Sequence, residues 1–263
     1  MLSPAPVSGI ALFLFAHQDD EFAVFKVIED CIQRGQRPVC FYFTAGDHGG
    51  QSAKIRCTES LSVLKQLGVS PQQIFFIGEE HGIPDGKLHE HLNLALSEAE
   101  KLIASLTSPV RSLYSPAWEG GHQDHDAVNL LGRVLASKLD CLAAVWQSPF
   151  YHGCGLPWIL YKVLSPLAAN GAVLTQPLSV VDRLRYLKLC FTYKSQLKTW
   201  AGLLPFVIVD YLFDGRQKLQ AVAASNSLQK PHQGLLLYEK RKFCSYDELA
   251  ACGERFLNEH LGA

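Results

Sequence analysis

The sequence predicts an α/β protein with a mostly parallel sheet and helices on both faces. Three observations carry this. Through the first 150 residues, short apolar runs of strand length alternate with longer stretches of helical periodicity. The helical stretches stop at glycines such as Gly35 and Gly68. Polar, glycine-containing segments follow strand after strand, which places them on one rim of such a sheet, where open α/β sheets bind ligands.

Taken in order, Ile10–Ala16 is an apolar strand and Glu21–Arg34 a helix ending at Gly35. Arg37–Thr44 is a strand rich in aromatic and β-branched residues, and Ala53–Leu67 a helix ending at Gly68. Gln73–Ile77 reads as a strand. His89–Leu106 has apolar residues at helical spacing. Arg111–Ser115 is a strand, Asp124–Lys138 a helix and Leu142–Gln147 a strand. Beyond residue 150 the pattern weakens: Ser179–Tyr193 and Tyr246–His260 read as helices, Leu204–Tyr211 and Gly234–Glu239 as strands. No linker composition intervenes, so residues 1–263 are expected to form one domain. Its core spans about 8–150, and a C-terminal extension over 151–263 walls the site. Leu156–Leu174 is apolar but broken by Pro157, Lys162, Pro166, Asn170 and Gly171. It reads as a buried or lid-forming stretch rather than a membrane span, which needs about 20 unbroken residues.

Composition narrows the function. The chain is 48% apolar with a net charge of −1, and its basic residues do not cluster, which argues against nucleic acid as a partner. Eight cysteines include no CxxC pair, and Cys40, Cys141 and Cys190 sit among apolar neighbours as small hydrophobes. With no basic n-region at the start, the expectation is a reduced, cytoplasmic protein without a transmembrane segment. No GxGxxG follows the first strand and no P-loop is present, so a dinucleotide site is not expected. Oligomeric state is not legible.

The chemistry lies in two clusters, each after a predicted strand. The first is His17-Gln18-Asp19-Asp20-Glu21 and the second His122-Gln123-Asp124-His125-Asp126. Further polar segments, Thr44–Gln51 and Gly78–Gly86, share their rim. His17 and Asp20, three apart where strand becomes helix, can turn toward one ion, with His125 as the third ligand from across the groove. Zinc accepts two imidazoles and a carboxylate and keeps a position for water. Asp19 can then take a proton from water, and His122 can stabilise an oxyanion or donate a proton, with Asp124 orienting its imidazole. Glu21 falls in a first helical turn, where the macrodipole favours an acid. Spacing alone leaves open which histidine binds metal. The simpler alternatives are an acidic helix cap for Asp19–Glu21 and structural histidines at 122 and 125.

These residues carry a resemblance. Ala16-His17-Gln18-Asp19-Asp20-Glu21 is similar to the AHPDDE motif of the LmbE-like, or PIG-L, N-acetylglucosaminyl deacetylases, and His122-Gln123-Asp124-His125 to their HPDH motif. The likeness continues through Arg56, Glu59 and Leu67-Gly68-Val69, through Asp85, and into Lys194-Ser195-Gln196, covering most of residues 8–200. It implies a Rossmann-like fold and zinc-dependent hydrolysis of an N-acetyl amide on a sugar, with iron(II) as the alternative metal. By position it makes His17, Asp20 and His125 the metal ligands and Asp19 the general base. His122 stabilises the oxyanion with Asp124 behind it. Arg56 and Asp85 meet the substrate; the competing role for Arg56 is an i,i+3 pair with Glu59. The substrate is a free, lipid-linked or nucleotide-linked N-acetyl sugar.

The sequence departs from that family in three places. Gln18 and Gln123 stand where the motifs have prolines, which removes a backbone constraint but no ligand. Gly120 occupies a position where some members carry a carbonyl-polarising tyrosine, so the expectation is that Glu119 or His152 compensates or that His122 acts alone. The segment holding Phe150, Tyr151, His152 and Trp158 is expected to recognise the acceptor end of the substrate or to pack the extension. His232 is a weaker candidate of the same kind. Two other classes share the ligand set: a non-catalytic metal- or sugar-binding module, and a non-heme iron enzyme with two histidines and one carboxylate.

Overall fold

The computed structural model describes residues 8–47, 53–139, 141, 144–222 and 228–262. The chain opens with β1 (Gly9–Phe15), α1 (Phe25–Gln33), β2 (Gln36–Tyr42), α2 (Ala53–Gln66), β3 (Ile74–Phe75) and the short α3 (Ile77–His81). It continues through α4 (Leu92–Ser105), β4 (Val110–Pro116), α5 (Gln123–Lys138) and β5 (Val145–Ser148). The extension holds a hairpin of β6 (Tyr151–His152) and β7 (Lys162–Val163), then β8 (Val173–Pro177), α6 (Val180–Cys190) and α7 (Leu197–Val209). It ends with β9 (Arg216–Ala221), α8 (Leu237–Lys240) and α9 (Tyr246–Leu261).

The strands form a sheet in the order β3-β2-β1-β4-β5-β9-β8. Strands β1 to β5 are parallel, and β9 and β8 add antiparallel. The fold is thus mixed α/β with a mostly parallel sheet, as the alternation predicts. Side chains on β1 alternate between two cores, as a period of two requires. Ala11, Phe13 and Phe15 face one with α1, α2, α6 and α7; Ile10, Leu12 and Leu14 face the other with α4, α5 and α9. Both sheet faces are therefore covered, which explains why β1 is apolar throughout rather than alternating. From β1 the chain moves to β2 on one side, and β4 lies on the other. That switch point opens a crevice at the carboxyl ends of β1 and β4, where both polar clusters emerge.

Two predicted strands are corrected. Leu204–Tyr211 is helical, lying in α7 and the wider turn Asp210–Asp214 that follows. The buried residues are Trp200, Leu203, Val207 and Tyr211, a helical stripe, while Pro205 sits on the exposed side where its missing N–H faces solvent. Gly234–Glu239 is a loop leading into α8. Leu236, Leu237 and Tyr238 are all buried, and the Leu237 N–H donates to Gly120 O at 2.8 Å, so the segment is an anchor rather than an alternating strand. The predicted helix over Glu21–Arg34 begins instead as a 3₁₀ turn at Asp20–Ala23. The predicted strand Gln73–Ile77 shortens to β3, and the helix expected from His89 starts at Leu92. Strands β8 and β9 escaped the sequence reading; β8 is exposed along its length and has no burial alternation to reveal it. Residues 48–51 of the Thr44–Gln51 segment, and Leu142 and Ala143 of the last predicted core strand, lie outside the described residues. Within Leu156–Leu174, Trp158, Ile159 and Leu160 are exposed, so the stretch is buried only further on, at Val163, Leu164 and Leu167. Among the described residues, no helix is long and apolar enough to cross a membrane.

Candidate metal centre and active site

The two clusters meet across the crevice. Donor atoms of His17, Asp20 and His125 lie within 4.8 Å of one another, and all three residues are buried. Each has a defined orientation. Asp20 Oδ2 accepts the backbone N–H groups of Ala16 at 2.9 Å and His17 at 2.8 Å, which leaves Oδ1 facing His125 Nε2 at 3.1 Å. His17 Nε2 lies 3.0 Å from Asp124 Oδ2. Asp124 also accepts the N–H groups of Gly86 at 2.5 Å and Leu88 at 3.1 Å, so it is an ionised acceptor and His17 Nε2 is the donor. When His17 is neutral its lone pair is thereby left on Nδ1, the nitrogen toward Asp20. A carboxylate fixing the tautomer of a histidine whose other nitrogen faces a carboxylate and a second imidazole is how metal-binding histidines are prepared. His125 is held by packing, its ring 4.6 Å from that of Phe150 and 5.5 Å from Tyr151; its Nδ1 is buried without a hydrogen bond among the described residues. The donor set fits zinc or iron(II). A second grouping, His17, His122 and Asp124, also has close donor atoms. It is the weaker candidate, because the Asp124 oxygens are already engaged by three N–H groups.

Asp19 has φ 129°, outside the region ordinary residues adopt, and this turn directs its carboxylate into the crevice. Its N–H donates to Glu21 Oε2 at 2.9 Å. Its Oδ2 accepts from Trp200 Nε1 at 3.2 Å, and Oδ1 is 3.6 Å from Arg56. Burial pushes the Asp19 carboxyl up to about 7, with Arg56 opposing the rise. Glu21 lies in the first turn of the 3₁₀ helix Asp20–Ala23, fully buried as a strut under Asp19, and burial raises it too, to about 7.

His122 caps α5. Its Nδ1 accepts the Asp124 N–H at 3.2 Å, which puts the ring proton on Nε2. Burial, reinforced by His17, lowers its pKa to about 3, so it is a neutral donor. The expectation that the Asp124 carboxylate orients His122 is corrected: its nearer imidazole is His17, and the His122 contact at 3.8 Å is too long for a hydrogen bond. The backbone N–H of Asp124 orients His122 instead.

These side chains line the floor of a cavity of about 430 Å³. Arg56 and Asp85 line it also, paired at 3.0 Å. Arg56 further donates to Gln18 O at 3.1 Å, so it braces Asp19 and Asp85 more than it offers free donors. Glu59 does not pair with Arg56; it accepts from the N–H and hydroxyl of Ser195, which sets Gln196 in the cavity wall. The glutamines at the motif proline positions bond to neighbouring loops, Gln18 to Thr44 O and Gln123 to Gly86 O. Side-chain bonds thus take over part of the stiffness proline supplies.

Two expected contributors are absent from the cavity. His152 is buried, with Nε2 at 2.9 Å from Ser165 O and Nδ1 accepting from Cys154 N–H, so both ring nitrogens are spent on the extension. Glu119 is fully buried and accepts the N–H groups of Phe150 and Tyr151, each at 2.8 Å. Neither can polarise a substrate carbonyl. His232 bonds to Gln233 O and lies outside the cavity lining. A Cβ at Gly120 would stand 2.7 Å from Leu236, and one at Gly121 only 1.8 Å from Tyr151 O. The glycine pair therefore lets α8 and β6 close against the motif. The wall they complete contains Tyr151, from the aromatic segment singled out in the sequence, with Leu203, Arg241, Lys242 and Phe243, which no motif signalled. Trp200 was equally invisible, because its partner Asp19 lies 181 residues away.

Residues 12–136 match the GlcNAc-PI de-N-acetylase (PIG-L) family, so this stretch of the chain is similar to the PIG-L, or LmbE-like, deacetylases. The segment includes all three candidate ligands, Asp19 and His122. Solved structures with the same fold include a deacetylase of the teicoplanin biosynthesis pathway, at 15% identity and TM-score 0.62, covering 83% of this chain and 100% of that one. Another is the N,N'-diacetylchitobiose deacetylase of Pyrococcus horikoshii, at 17% identity and TM-score 0.54, covering 82% and 83%. A third is a 4-carboxy-2-hydroxymuconate hydratase from Pseudomonas putida, at 13% identity and TM-score 0.50, covering 84% and 99%. Comparison with curated proteins by sequence gives no match.

Proposed function

We propose that the protein is a metal-dependent N-deacetylase acting on an amino sugar or glycoconjugate. One observation carries the reading: within the stretch similar to the PIG-L deacetylases, His17, Asp20 and His125 converge at the floor of a cavity with a base, Asp19, and a neutral donor, His122, beside them. The hydratase fold relative is a reminder that the fold by itself does not select the reaction.

His17 Nδ1, Asp20 Oδ1 and His125 Nε2 would hold the ion. Zinc bound there supplies Lewis-acid polarisation and lowers the pKa of water toward neutrality. Asp19, with a carboxyl near 7, takes the proton of the attacking water and returns it to the departing amine. Trp200 and Arg56 hold its oxygens in place. As the amide carbon becomes tetrahedral, His122 Nε2–H donates to the oxygen that gains charge, and the low basicity of that ring keeps the proton on the donor side. Gln196 and Tyr151 give the sugar polar edges to bind. The eight cysteines form no disulfide among the described residues, which supports a reducing compartment such as the cytoplasm.

The test is acetate release from a panel of N-acetyl sugars, with metal content measured on the same protein. Acetate together with about one zinc or iron per chain is expected. Bound metal without acetate from any member would favour the non-catalytic binding module. A protein that neither carries metal nor takes it up would overturn the assignment of His17, Asp20 and His125.

A further inference from the structure

Four consecutive charged residues, Glu239-Lys240-Arg241-Lys242, cross the cavity mouth in and after α8, and they divide into two pairs. The first pair is consumed by the fold. Glu239 accepts the N–H groups of Leu236 and Tyr246 and pairs with Lys230, while Lys240 donates to Gly153 O and Leu156 O. The second pair, Arg241 and Lys242, lines the cavity and pairs with no carboxylate among the described residues. The other cavity cations differ: Arg56 is paired with Asp85, and Lys87 with Glu90.

Both side chains are set in place by visible devices. The Arg241 guanidinium lies over the rings of Tyr161 at 5.2 Å and Tyr151 at 6.0 Å. Stacking of this kind holds the plane; one edge N–H turns to the Tyr161 hydroxyl, and no carboxylate takes the others among the described residues. Lys242 has φ 61°, the left-handed position that closes a helix, with its N–H on Glu239 O and the Phe243 N–H on Tyr238 O. Glycine is the ordinary occupant there. Lys242 lines the cavity beside Phe243, whose ring is 6.3 Å from that of His122. Tyr151 is the shared neighbour, its ring 5.5 Å from the candidate ligand His125 on one side and under Arg241 on the other. Arg241 thus lies one aromatic ring away from the candidate metal centre, with Lys242 next to it in the chain.

We infer that Arg241 and Lys242 form an anion subsite, and that the substrate is an N-acyl amino sugar bearing a phosphate on the side away from its amide. This rests on the deacetylase reading for the amide half and on the unpaired cations for the phosphate half. A sugar phosphate and a nucleotide sugar share that chemistry. An arginine fork beside a lysine matches the geometry and charge of either.

The test is calorimetric binding of N-acetylglucosamine, N-acetylglucosamine 1-phosphate and uridine-diphosphate N-acetylglucosamine. It uses the full chain with metal and again after chelation, so that phosphate binding to the ion is separated from binding to the side chains. The phosphorylated probes are expected to bind about tenfold tighter or more than the free sugar in both forms, with the difference shrinking as salt is added. R241A/K242A should reduce that preference to about twofold. Lys242→Gly guards against misfolding, because glycine relieves the left-handed strain. It should raise the melting midpoint while lowering the preference about threefold. A preferred 1-phosphate indicates a sugar phosphate, and a preferred nucleotide sugar indicates the diphosphate source. Equal binding of all three probes by the wild type, or an unchanged preference in both variants, would overturn the subsite. Failure of the deacetylase reading looks different: the phosphate preference persists, but no acetate appears from any probe.

Discussion

Replacing Asp124 by asparagine isolates the tautomer argument on which the metal centre depends. The wild-type carboxylate is fully buried and accepts three N–H groups: Gly86 and His17 on Oδ2, and Leu88 on Oδ1. An asparagine of the same shape has one oxygen. If that oxygen takes the Oδ2 place, its NH2 faces the Leu88 N–H and one buried donor loses its acceptor, at a cost of about 1–3 kcal/mol. If it takes the Oδ1 place, the NH2 faces His17, whose ring must move its proton to Nδ1. The lone pair toward Asp20 is then lost. The first outcome lowers overall stability; the second lowers metal affinity directly, by about 10–100-fold, as for other outer partners of metal histidines. The energies agree, since a factor of 10–100 is about 1.4–2.7 kcal/mol. The assay is zinc competition against a chromogenic chelator at neutral pH, with the melting midpoint of the metal-free protein as the control for folding. A variant that binds zinc within about twofold of wild type and keeps the wild-type melting midpoint, while His125→Ala abolishes binding, would refute the role given to Asp124.

Further outcomes follow from the same geometry. Asp19→Asn should keep its metal and lose about 10²–10⁴ of turnover; full activity in acetate release would remove Asp19 as the base. Glu119→Gln tests a buried acid outside the cavity. Burial raises the Glu119 carboxyl from its ordinary 4.5 to about 8, so the stability it contributes is present below about 4.5 and is lost as pH rises through about 8. Chemical denaturation across that window should show the wild type losing stability more steeply than the glutamine variant, and parallel curves would contradict the assignment. Gly121→Ala would drive a Cβ to 1.8 Å from Tyr151 O, and should destabilise by about 3 kcal/mol or more, read as a lowered melting midpoint. An unchanged midpoint would mean that β6 does not press on the motif.

The cores of the two motifs were legible in sequence because each is local. His17 to Glu21 and His122 to Asp126 each follow a strand, and parallel strands bring their carboxyl ends to one rim whatever the rest of the chain does. The central sheet was legible for a similar reason: β1, β2 and β4 are covered on both faces and so are apolar runs. The extension was not. Its α7 offers apolar residues on the exposed side as well as the buried one, among them Phe206 and Val209, so the run read as a strand. The edge strand β8 and its neighbour β9 lack the alternation that burial on one face imposes.

The sequence by itself determined which residue types stand at the ends of the parallel strands, and therefore the class of chemistry available. Tertiary structure decided how they are wired. That Asp124 serves His17 rather than His122, that Trp200 holds Asp19, and that Gly120 and Gly121 admit Leu236 and Tyr151 are contacts between segments far apart in the chain. Each depends on side-chain direction and on which groups are left without a partner after burial. Residue spacing carries neither quantity, because a hydrogen bond across 107 positions leaves no periodic trace in the sequence.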